Sequence, residues 1–83
     1  MKIEVGDTFE VELTNFPGNK DTYKMLDNNY KKGDGQGTVL LGKIKKEVAY
    51  ANHIESKVYG FGQTMVVEEQ WFTANPKRKF KIL

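Results

Sequence analysis

Apolar and polar residues alternate over the first fourteen positions of the chain. Ile3, Val5, Phe9, Val11 and Leu13 take odd places, and Lys2, Glu4, Thr8, Glu10, Glu12 and Thr14 take even ones. That period belongs to a strand with one buried face, so the chain opens as β-sheet. Gly6-Asp7 interrupts the run at its one polar odd position, where a bend puts both in solvent. Asn15 to Asn19 then gathers a proline, a glycine and two asparagines, which ends the strand and turns the chain.

The middle of the chain admits more than one period. Asp21 to Lys32 predicts a short helix, with Tyr23, Leu26 and Tyr30 spaced i, i+3 and i+7, Asp21 or Asn19 as cap, and Gly33 as stop. A long loop holding two tyrosines against the core has the same pattern. Gly33 to Gly37 is the natural hinge. From Thr38 an even phase returns in Leu40, Ile44, Val48, Tyr50, Ile54 and Val58, and predicts strands with a turn near Lys45-Lys46 or Asn52-His53. Ile44, Val48, Ala51, Glu55 and Val58 are also spaced for a helix face, with Glu55 its one polar member, so a helix over 46–56 is the rival reading.

Tyr59-Gly60-Phe61-Gly62 marks a bulge or tight corner. Gln63 to Phe72 predicts a strand with Met65, Val67 and Trp71 on one side and Val66 and Phe72 on the other. Thr73 to Pro76 is a turn, and Arg78 to Leu83 a last strand with Phe80 and Ile82 inward. Pairing the last strand with the first closes a barrel and removes both edges. The expected fold is mainly β: a small single-domain curled antiparallel sheet or barrel over residues 1–83, with one short helix or long loop insertion. The other candidate is α+β with a helix near 46–56. The opening Ile3 to Val11, a turn at Gly6-Asp7 before a strand, resembles the start of many small barrels of the SH3-like and OB classes. That resemblance implies a fold and no function.

Size and composition narrow the picture. A chain of 83 residues has one core and buries roughly 60% of its unfolded surface. One Trp, five Phe and four Tyr supply enough large apolar groups to fold it. The lack of cysteine removes disulfides, thiolate nucleophiles and cysteine-based zinc sites, and fits a reducing compartment. No apolar run reaches the ~20 residues of a membrane helix, and the acidic, alternating start is not a signal peptide. A cytoplasmic protein without a membrane partner is expected. The net charge of +2 is small, but Glu4, Asp7, Glu10 and Glu12 crowd one end and Lys77, Arg78, Lys79 and Lys81 the other.

Catalytic, metal and cofactor signatures all fail on residue type. An EF-hand loop begun at Asp27 places Lys31, Lys32 and Thr38 where an oxygen ligand, glycine and glutamate belong. Gly33 to Gly37 lacks the Lys-Ser/Thr of a phosphate loop. His53 is the one histidine, and Glu68 and Glu69 are neighbours that point to opposite faces of a strand. No catalytic, metal or cofactor-binding residue is expected, and no enzyme.

Two binding functions remain. In the first, the partner is another protein, occluded by the segment from Phe16 to Gly37, with Phe16, Tyr23, Tyr30 and Phe61 as exposed contacts. In type such a chain resembles the accessory and inhibitor proteins of phages and mobile elements. In the second, Lys43, Lys45, Lys46, Lys77 and Arg78 hold the backbone of a single-stranded nucleic acid while Tyr59 or Trp71 stacks on its bases. If the chain ends pair, Lys79 and Lys81 share the outer face with Glu10 and Glu12 and are lost to phosphate. The single arginine disfavours sequence-specific duplex reading.

Overall fold

The alternation of the opening residues becomes β1 (Thr8–Leu13), whose odd residues Phe9 and Val11 are buried. In this computed structural model, residues 3–30, 38–60, 62–68, 70–73 and 78–83 are described. The bend before β1 uses Gly6 at φ 94°, and its N–H donates to the Met25 carbonyl at 2.8 Å. The turn after β1 ends at Gly18, φ 90°, whose N–H donates to Glu12 Oε2 at 3.0 Å.

Residues 20–30 form β2 (Lys20–Tyr30), paired antiparallel to β1 on one side and to β3 (Thr38–Tyr50) on the other. The helix expected from Asp21 to Lys32 is therefore corrected to a central strand. Tyr23 and Met25 alternate into the core, and flanking strands satisfy main-chain groups that a helix containing Asn28-Asn29 would hold weakly. The 46–56 helix is likewise replaced. β3 runs to Tyr50, Ala51-Asn52 turns the chain, and β4 (His53–Val58) returns along it from Tyr50↔His53 to Lys45↔Val58.

β5 (Thr64–Glu68) lies along the same edge of β3 as β4, beside its first half. A short helical turn, α1 (Gln70–Thr73), follows and breaks the strand expected through Phe72. Trp71 and Phe72 consequently both pack on the core, instead of on opposite sides. β6 (Arg78–Ile82) pairs with β1 in the register Glu10↔Lys81, Val11↔Phe80 and Glu12↔Lys79. The chain ends thus lie side by side, and Lys79 and Lys81 stand across from carboxylates on the outer face.

The strand order is β4-β3-β2-β1-β6, with β5 on β3. Among the described residues β6 pairs with β1 alone, and the sheet curls without closing. Its concave side is filled by rings: Phe9 lies 5.7 Å from Tyr23, 6.0 Å from Phe72 and 6.4 Å from Phe80 between centroids. Val39, Leu41 and Val67 complete the buried cluster.

Candidate nucleic-acid interface

A bulge in β3 decides which lysines share a side. Tyr23 pairs with Lys43 and Thr22 with Lys45, which leaves Ile44 as the extra residue. Ahead of it the odd residues Val39 and Leu41 face the core. Beyond it the even residues take that side, because Lys46 stands opposite Asp21, which shares Tyr23's face. Lys43 and Lys46 therefore lie on the concave side. Lys45 lies on the outer side, ion-paired with Glu47, and its hydrogen bond holds the Glu47 carboxyl below the ordinary carboxylate range.

The edge partner of β3 changes at the same place. Lys43 N–H donates to the Gln63 carbonyl at 2.8 Å, and the Ile44 carbonyl accepts the Tyr59 N–H at 2.9 Å. These bonds fix Tyr59 and Gln63 against β3 and bring two cations to the Tyr59 ring. Lys43 Nζ is 5.6 Å and Lys57 Nζ 5.4 Å from its centroid. A second cation–aromatic pair is formed by Arg78, 4.6 Å over the Trp71 ring, with Nη1 donating to the Trp71 carbonyl at 3.3 Å.

Tyr23 connects the two pairs. Its ring meets Trp71 edge-on at 6.0 Å. Burial pushes its hydroxyl up to about 12; the Asp21 charge, the hydrogen bond to Asp21 and nearby Tyr59 add to this, and Arg78 opposes it. Tyr23 is thus a neutral phenol that braces the site. Beside Tyr59, on the outer side of the sheet that Lys24, Leu26 and Gly42 share, the surface dips into a groove of about 410 Å³ walled by Leu26, Gly42, Ile44 and Tyr59 and bordered by Lys24 and Lys43. Gly42 lets Leu26 lie close over β3: a Cβ there would come within 3.2 Å of Leu26 Cδ1.

Of the residues expected to bind nucleic acid, Lys43, Tyr59, Trp71 and Arg78 come together around Tyr23, with Lys46 on the same side of the sheet. Lys45 does not join them, and Lys77 lies outside the described residues. Lys57 was missed, although its place two residues before Tyr59 on a strand was a usable signal. Of the residues expected to meet a protein, Phe16 is 59% exposed, whereas Tyr23 is 4% exposed and belongs to the buried core. The Tyr30 side chain and Phe61 lie outside the described part of the structure.

No helix among the described residues is long and apolar enough to cross a membrane, and no three metal-ligating side chains gather there. Comparison with protein-family models, with curated proteins and with solved structures gives no match to this chain.

Proposed function

We propose that this protein is a small non-enzymatic binding module that holds single-stranded nucleic acid without sequence preference. The observation that carries this reading is Tyr59, which has Lys43 and Lys57 over its ring and lines an apolar groove. A flat base fits a groove of that kind and stacks on the ring, while the lysines take the flanking phosphates. Arg78 and Trp71 repeat the combination on the other side of Tyr23. Lys20, Lys45, Lys79 and Lys81 on the outer face compete little, because each has a carboxylate as ion-pair or register partner. The only arginine is already stacked on Trp71, which leaves no fork for guanine edges and favours binding without sequence preference.

A fluorescence-anisotropy titration with a labelled oligonucleotide at two salt concentrations tests the proposal. Affinity falls with salt at a slope of ~0.7 per phosphate neutralised, and Tyr59→Ala weakens it. Absence of binding at low salt overturns it.

A second reading, an accessory or inhibitor protein that occludes another protein, is favoured by one observation. Phe16, a large apolar ring on the β1–β2 turn, is 59% exposed. Loss of partner capture in Phe16→Ala, with oligonucleotide binding absent, selects that reading.

A further inference from the structure

β4 ends the sheet, and all six of its residues are exposed. Ile54 is 64% and Val58 74% exposed, an unusual load of apolar surface for an open edge. The phase of its main-chain groups is fixed by the Tyr59 N–H that reaches the Ile44 carbonyl in the β3–β4 register. Odd residues of β4 therefore turn their N–H and C=O groups to β3. Ile54, Ser56 and Val58 turn theirs to the open edge.

We propose that this edge pairs antiparallel with the β4 edge of a second copy, about a two-fold axis through Ser56. Ile54-Glu55-Ser56-Lys57-Val58 reads apolar, acidic, small, basic, apolar, and so complements itself when reversed. In that register Ser56 meets the partner's Ser56, Ile54 meets the partner's Val58, and Glu55 meets the partner's Lys57. The hydrogen-bonding phase is compatible with this register and excludes those centred between two residues, since Ile54, Ser56 and Val58 turn their main-chain groups outward. Each such pair exchanges two hydrogen bonds. Apolar pairs fall on one face and charge pairs on the other, as an isologous contact requires. Neighbouring registers fail: centring on Glu55 opposes two carboxylates, and centring between Glu55 and Ser56 opposes Ile54 to Lys57. The paired sheet carries both Tyr59 sites on one face, about 20 Å apart along the joined strands.

Sedimentation equilibrium of the full chain from micromolar to millimolar concentration tests the contact. The wild type self-associates to a dimer. Glu55→Lys and Lys57→Glu each weaken it about tenfold by opposing like charges, with circular dichroism confirming the fold. Mixing the two variants restores a heterodimer in which every charge meets its opposite. A wild-type monomer throughout, a dimer indifferent to Glu55→Lys, or loss without recovery in the mixture overturns the proposal.

Discussion

Glu10 on the first strand stands directly across from Lys81 on the last, and the neighbouring outward pair is Glu12 with Lys79. The acidic start and the basic end of the chain are thus two halves of one strand pair. Lys20 approaches the same Glu10 carboxylate at 3.9 Å, which makes the outer face a mixed-charge surface. Reversing Glu10 to Lys lowers stability by about 0.2–1 kcal/mol, and adding Lys81→Glu recovers part of it. Urea midpoints of the single and double variants check this. An unchanged single variant contradicts it.

Gly18 is pinned by conformation and by space. Its φ is 90°, and a Cβ there would stand 2.6 Å from the Ala49 Cβ. Gly18→Ala therefore costs about 1–2 kcal/mol for the left-handed backbone alone, plus the displacement of β3. Thermal melting reads the loss, and Gly60→Ala, where a Cβ meets nothing within 4 Å, is the control.

Leu41 is fully buried between β2 and β5, whereas Leu26 on the next strand is half-exposed beside the groove. Leu41→Ala is expected to cost about 2–5 kcal/mol, a large share of the stability of so small a domain. Leu26→Ala costs much less. Equal losses contradict the assignment of faces.

Much of the fold was legible where one period runs without interruption. β1 shows its buried face residue by residue, and the pairing of the chain ends followed from two strands that each needed a partner. β2 was misread because Tyr23, Leu26 and Tyr30 happen to be three and four apart, while Tyr23 and Met25 were the residues that mattered. β3 hid its phase because the bulge at Ile44 moves the inward positions from odd to even. The closed barrel failed for a related reason: β3 is long enough to take both β4 and β5 on one edge, and among the described residues β6 pairs with β1 alone. Four members of the site could be named because they are cations and rings. Their convergence on Tyr23 could not, since that depends on the bulge and on α1.

The Tyr23 hydroxyl gives a pH signature. Its pKa rises from 10.0 to about 12 on folding, first through burial and then through Asp21. The unfolded phenol ionises first, so its contribution is complete below pH 10 and is lost as pH rises toward about 12. Tyr23→Phe removes this component. Compared from pH 8 upward, the wild-type denaturant midpoint falls relative to that of the variant in the alkaline range if the assignment holds, and the two stay parallel if it does not.

The most direct measurement is a map of amide and indole shifts in the NMR spectrum as a short single-stranded oligonucleotide is added. Shifts concentrated at Lys43, Lys57, Tyr59, Trp71 and Arg78, and absent from Glu10, Glu12, Lys79 and Lys81, are the predicted result. Shifts confined to the outer face of β1 and β6, or no shifts at low salt, contradict it.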